Sequence, residues 1–253
     1  MSKKFHLTLV RHGETDYNLK RMLQGQVDIP LNETGLMQAN AVGKCFSEEN
    51  ISHWFSSDFC RASETCRLIK SHNKYAQASA GNVVLQTKSD ERIRERKFGV
   101  LEGEPENELN QAAERAHMSP REYTPERGES EMQMRKRAED FYRALFKQIY
   151  EECSNHDTDG YCANVLVVAH GGLIDSTCRL FNAKFGCQFK RNPPYFVGNC
   201  STSCFVVNFP PSCNGDCSTQ FEERDDSLDD YLTNNWLDGV TIKCTKLETK
   251  PNQ

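Results

Sequence analysis

Residues 5–14, Phe-His-Leu-Thr-Leu-Val-Arg-His-Gly-Glu, place an Arg-His-Gly triplet at the exit of a short apolar strand, where α/β sheets hold their reactive groups. A histidine fixed there can act as a nucleophile, the arginine before it can hold a phosphoryl group, and the glycine after it lets backbone come close. A second apolar run, Asn164-Val-Leu-Val-Val-Ala169, leads straight into His170-Gly171-Gly172. His12 and His170 can therefore face one another across the crevice outside the carboxyl ends of parallel strands. Between them in the chain, Ser56-Ser-Asp-Phe-Cys-Arg-Ala-Ser-Glu-Thr65 combines a polar cluster able to cap a helix with Arg61 in its first turn. Free amides at a helix start and a guanidinium favour the same phosphate.

The elements that must position these residues alternate between strand and helix. Leu36, Ala39, Gly43 and Phe46 recur at helical spacing and predict a helix over 34–48; 53–56 reads as a short strand and 61–71 as the next helix. A strand is expected over 83–87, a polar helix over 105–118, and a helix over 173–181 after His170. Ser130-x-x-Gln133 forms a capping box for a long helix whose Met134, Ala138, Phe141, Leu145 and Ile149 make one apolar stripe, which is core. Strands near 204–209 and 240–247 close the pattern. The segment 210–238 carries Glu222, Glu223, Asp225, Asp226, Asp229 and Asp230 and reads as a solvated acidic loop, a poor wall for an anionic substrate. One domain over 1–253 is expected, with insertions near 104–127 and 210–239.

The formal charge of −5 over 253 residues argues against nonspecific nucleic-acid binding and requires the working arginines to be clustered locally. No apolar run approaches transmembrane length, and Met-Ser-Lys-Lys leads directly into the first strand, so no membrane span, no cleavable signal and a cytoplasmic setting are expected. The twelve cysteines then read as reduced thiols. Cys200, Cys204, Cys213 and Cys217 are too loosely spaced, with no nearby histidine, for a zinc site. No metal and no cofactor is expected, and oligomeric state is not legible. His6, His53, His72, His117 and His156 carry no motif.

These motifs resemble the histidine phosphatase superfamily, also called phosphoglycerate mutase-like, from Leu7 to about Phe209. The resemblance is carried in order by Arg11-His-Gly-Glu-Thr-Asp-Tyr-Asn18, Gln24-Gly-Gln-Val-Asp-Ile-Pro-Leu31 with Thr34-Gly35, Ser56 through Thr65, Arg94-Glu-Arg-Lys-Phe-Gly99, Gly128-Glu-Ser130 and His170-Gly171. Within it, Arg94 through Gly103 and Tyr123-Thr-Pro ahead of Gly-Glu-Ser look most like the TIGAR-type fructose-2,6-bisphosphatases. The resemblance implies a three-layer phosphoglycerate mutase-like α/β fold, a mostly parallel sheet flanked by helices, and phosphoryl transfer through phosphohistidine.

With no Walker loop and no carboxylate cluster for magnesium, Arg11, Arg61 and His170 are expected to supply the positive charge the transition state needs, with His12 attacking as neutral imidazole. Its other ring nitrogen should donate to a fixed acceptor, a backbone carbonyl by expectation. Glu95 matches the segment that carries the family's proton donor; Glu102, and less so Glu14, are alternatives. Asn18 and Gly25 match positions near the phosphate, as does Gly171, and Thr65 could donate there or bond back to its own helix. The mutases continue with Gly-Leu-Asn-Lys where this chain has Leu101-Glu-Gly-Glu-Pro-Glu-Asn107; the missing lysine and added acid favour release to water and hence phosphatase action. The implied reaction is metal-independent hydrolysis of a phosphorylated small molecule, foremost fructose 2,6-bisphosphate to fructose 6-phosphate. 2,3-Bisphosphoglycerate phosphatase, phosphoglycerate mutase, a broad acid phosphatase and a noncatalytic binding protein are the alternatives. Lys20, Arg21, Arg96 and Lys97 are the cations available for a second phosphate.

Overall fold

A computed structural model describes residues 3–78, 86–154, 160–188, 197–209 and 241–247. In chain order the elements are β1 (Lys4–Arg11), α1 (Asp16–Leu19), α2 (Glu33–Cys45), β2 (His53–Ser56), α3 (Cys60–Ser71), α4 (Lys74–Ala78), β3 (Thr87–Ser89), α5 (Glu106–Arg115), α6 (Glu131–Ser154), β4 (Tyr161–Ala169), α7 (Gly171–Phe185), β5 (Thr202–Asn208) and β6 (Thr241–Leu247). They form a six-stranded sheet in the order β3-β2-β4-β1-β5-β6. The first four strands run parallel and β5 pairs antiparallel with β1, so the mostly parallel sheet expected from the motifs is present.

Strand alternation sorts the core into two layers. Phe5, Leu7 and Leu9 of β1 and Val165, Val167 and Ala169 of β4 pack with Met134, Ala138, Phe141, Leu145 and Ile149 of α6 and Leu173, Ile174 and Phe181 of α7. Val10, Leu166 and Val168 point the other way, onto Ala39 and Val42 of α2 and Ala62, Cys66 and Ile69 of α3. The α6 stripe is core as its spacing predicts. The capping box is formed: Gln133 N donates to Ser130 Oγ at 3.1 Å and Ser130 N to Gln133 Oε1 at 2.8 Å.

Four expectations are corrected or fall elsewhere. The strand placed at 83–87 begins at Thr87; 83–85 lie outside the described residues, as do the acidic segment 210–238 and Cys213 and Cys217. The helix in the first insertion is shorter than 105–118, because Pro105 only precedes its first turn and the chain leaves the helix at Ala116. The helix after His170 is longer, starting at Gly171 and ending on Gly186 in the left-handed region. The thiols are not all reduced: the end of α6 and the start of β4 bring Cys153 and Cys162 to a Cα–Cα distance of 5.6 Å, and they form a disulfide. Among the described residues, no helix is long and apolar enough to cross a membrane.

Candidate active site

β1 and β4 are neighbours in register, Arg11 opposite Ala169, so their ends deliver both histidines to one place. His12 N donates to Ala169 O at 2.9 Å, and the two imidazoles lie 5.2 Å apart between centroids. His12 is 2 % exposed and His170 is fully buried. His12 Nδ1 contacts Gly13 O at 2.7 Å; a carbonyl only accepts, so the proton sits on Nδ1 and Nε2 carries the lone pair. Gly13 is held in turn by Thr65, whose Oγ1 accepts from Gly13 N at 3.0 Å and donates to Arg61 O at 2.7 Å. Thr65 therefore bonds back to its helix and braces the nucleophile's loop, and it is not among the residues lining the cavity.

Arg61 lies in the first turn of α3 and is fully buried. Its Nε donates to His170 Nδ1 at 3.2 Å, Nη1 to Val27 O at 2.8 Å and Nη2 to Gly25 O at 2.8 Å. Two of its five N–H donors remain uncommitted. Because His170 Nδ1 accepts, its proton is on Nε2, which is buried without a hydrogen-bond partner among the described residues, as is Arg11 Nε. Arg11 Nη1 donates to Val197 O at 2.5 Å. The anion site expected from the helix start is corrected here. The N-cap is Phe59, with no side-chain cap, and Cys60 N donates to Asp28 Oδ1 at 2.8 Å. A carboxylate from a distant loop thus satisfies that amide, and α3 contributes its guanidinium instead.

Burial pushes both histidines well below the usual imidazole range, and the neighbouring guanidinium charges push further. His12 is neutral, as a nucleophile must be. Burial holds the His170 imidazole below its usual range as well, and it presents an N–H at Nε2 beside the guanidinium charges of Arg11 and Arg61. Those guanidinium pKa values are lowered by burial, with Glu95 opposing most among the charges. Burial also lowers His53, paired with Glu152 at 2.8 Å. Between an unfolded imidazole value of about 6.5 and these lower folded values, the unfolded chain binds more protons than the native one. Native stability therefore rises with pH through that window and is fully present above it. The expected result is a urea midpoint that falls steadily as pH is lowered from 7.5 to 5.5, with a smaller fall in His170→Asn; a midpoint that rises on acidification contradicts the neutral pair.

A cavity of ≈ 320 Å³ has Arg11, His12, Asn18, Gln24, Gly25, Arg61, Glu95 and Gly172 in its lining. Glu95 Oε2 accepts from Gly172 N at 2.9 Å and Oε1 from Arg96 N at 2.8 Å. A Cβ at position 172 would lie 2.6 Å from Glu95 Oε1, so any side chain there would push the Glu95 carboxylate aside. Neither neighbouring arginine takes this carboxylate: Arg94 pairs with Asp58 and the Arg96 guanidinium bonds to backbone carbonyls. Glu102 is elsewhere. Its Oε1 accepts from Gln26 N and Phe98 N, both at 2.9 Å, beneath Gly25, whose φ of +51° and missing Cβ make the room. Glu14 accepts from Asn32. Of the acidic residues of 101–107, Glu106 lines the cavity and pairs with Arg21 at 3.3 Å. Gly171 packs against the Arg11 guanidinium and Gly172, not Gly171, lines the cavity.

Asn18 Oδ1 accepts from Thr15 N at 3.2 Å and Asn199 Nδ2 at 3.1 Å, which leaves its Nδ2 donors for a ligand oxygen. Gln24 Oε1 accepts from Thr15 Oγ1 at 3.0 Å, and the same reasoning frees Gln24 Nε2. Gln24 was missed as a site residue although its place beside Gly25 within a quoted motif was the signal. Asn199, which also donates to His12 O at 3.2 Å, had none. Of the four cations offered for a second phosphate, Arg96 lines the cavity, and Arg121 joins it unannounced.

A family model described as "Histidine phosphatase superfamily (branch 1)" matches residues 7–209. The chain belongs to this superfamily. It is 43 % identical over 152 residues to Fructose-2,6-bisphosphatase TIGAR of Xenopus tropicalis, a match covering 60 % of this chain and 53 % of that protein, so it spans about half of that relative's length. With the protein of the same name from Bos taurus it is 32 % identical over 252 residues, covering 84 % of this chain and 91 % of the relative. The crystal structure of a phosphoglycerate mutase from Bacillus anthracis is 27 % identical with a TM-score of 0.61, covering 81 % of this chain and 88 % of that one. The phosphoglycerate mutase-like fold expected from the motifs is thereby shared.

Proposed function

We propose that this chain is a metal-independent phosphatase that hydrolyses a sugar bisphosphate, fructose 2,6-bisphosphate to fructose 6-phosphate, through a phosphohistidine at His12. The observation that carries the reading is the neutral His12, its Nδ1 tied to Gly13 O and its Nε2 left as nucleophile, in one cavity with two guanidiniums and the Glu95 carboxyl. The substrate is supported by the names of the bovine and frog relatives.

In the first step His12 Nε2 forms a bond to phosphorus as the bond to the sugar oxygen breaks. The charge on the equatorial oxygens is met by the uncommitted Arg61 donors, Arg11, Asn18 Nδ2 and the His170 Nε2 proton. Glu95 is the carboxyl group placed to deliver a proton to the departing sugar oxygen. It then takes one from the water that attacks phosphohistidine, which restores His12 and releases phosphate.

The test is a phosphate-release screen in chelator over sugar bisphosphates, phosphoglycerates and 4-nitrophenyl phosphate. The expected result is highest kcat/KM for fructose 2,6-bisphosphate, unchanged by chelator. A preference for interconverting phosphoglycerates, or activity lost in chelator and restored by magnesium, contradicts it.

A further inference from the structure

Glu95 sits in a segment with little regular structure of its own: a single turn of 3-10 helix at Glu91–Ile93, then extended chain. Arg137, on α6, holds that segment. Its Nη1 donates to Arg92 O at 2.8 Å and Arg94 O at 2.6 Å, and its Nη2 to Glu95 O at 3.0 Å and Glu129 Oε2 at 2.8 Å, while Nε donates to Glu129 Oε1 at 2.7 Å. All five N–H donors of the guanidinium are matched. Glu129 grips the far side of the same segment: its N donates to Lys97 O at 2.8 Å, its carbonyl accepts from Arg96 Nε at 2.8 Å and its Oε2 from Lys97 N at 3.3 Å. Both side chains are largely buried, 19 % and 14 % exposed.

The backbone on either side of Glu95 is thus fixed by one ion pair, and its carboxylate is aimed by two backbone amides, those of Arg96 and Gly172. Proton transfer to a leaving oxygen needs the acid within hydrogen-bond reach, so displacement of this segment by a fraction of an ångström weakens acid catalysis before it weakens phosphate binding. We infer that Arg137, with Glu129, is a positioning residue for the acid of this reaction, holding Glu95 against the start of α7. The inference rests on the reading of Glu95 as that acid. Lysine at 137 keeps the charge but cannot span three carbonyls and a bidentate carboxylate.

A sugar alkoxide needs a proton as it leaves and a nitrophenolate does not, so the leaving group separates a misplaced acid from a general loss of structure. The experiment is single-turnover phosphorylation of the full chain with fructose 2,6-bisphosphate and with 4-nitrophenyl phosphate, for Arg137→Lys, Glu129→Gln and Glu95→Gln. Arg137→Lys and Glu129→Gln are expected to slow the sugar phosphate about 10-fold and the aryl phosphate less than about 3-fold, in the same sense as a larger contrast in Glu95→Gln. Equal losses on both substrates, or none, in the two clamp variants while Glu95→Gln keeps its contrast overturn the inference and leave the acid reading standing. A Glu95→Gln enzyme without the contrast removes the acid reading and the inference with it. Thermal unfolding identifies a variant that fails to fold, in which case the other clamp variant decides.

Discussion

His12→Ala loses at least about 10⁴-fold in turnover, because a covalent route deprived of its nucleophile retains only the binding and electrostatic contributions of the site. The geometry makes the loss specific. His12 Nε2 is the nitrogen left free once Nδ1 is committed to Gly13 O, and His170 cannot substitute, since its Nδ1 lone pair already accepts from Arg61 Nε. The substitution removes a buried ring from a cavity wall and leaves the strand ends paired, so a folded protein with normal thermal unfolding and no turnover is the expected pair of observations. Steady-state phosphate release with circular dichroism melting checks both. Retention of more than about a hundredth of the activity contradicts the assignment.

Arg61→Ala is expected to lower turnover by about 10²–10³-fold with a smaller change in KM, in keeping with deletion of a preorganised donor to developing charge. More than one charge is lost. Without the guanidinium, Gly25 O and Val27 O lose their donor and His170 Nδ1 is freed, so the His170 tautomer that presents an N–H at Nε2 is no longer enforced. Each unsatisfied buried group costs about 1–3 kcal/mol, so a drop in melting temperature accompanies the kinetic loss. Arg61→Lys, which restores charge without the fork, separates the two effects: it is expected to recover KM more than turnover. A variant with normal turnover and weakened binding alone makes Arg61 a ground-state anchor.

The parts of this fold and site that rest on local pattern were legible in the chain. Apolar runs ending in His12 and His170 predicted two parallel strands delivering facing histidines, and these are β1 and β4 in register. The period of α6 and the Ser130–Gln133 box predicted a core helix with a defined start. What escaped was side chain to backbone bonding across long sequence separations, which has no period. Asp28 caps α3 from another loop, Glu102 supports the turn at Gly25 instead of facing substrate, and Arg137 reaches carbonyls 42 to 45 residues away. The lowered pKa of His170 was not legible for a related reason: it follows from burial, and burial follows from packing that no motif reports. The pairing of Cys153 with Cys162 likewise depends on where a helix ends and a strand begins in space.

The central claim is a phosphoryl group on His12, and rapid quench tests it most directly. Enzyme mixed with fructose 2,6-bisphosphate labelled in the 2-phosphate, quenched in alkali within the first turnover and digested, is predicted to yield an acid-labile label on the peptide carrying His12. That label should be absent in His12→Ala and should form more slowly in Glu95→Gln, which lacks the acid that assists the first step. Label on no histidine, or on His170 with turnover persisting in His12→Ala, contradicts the account.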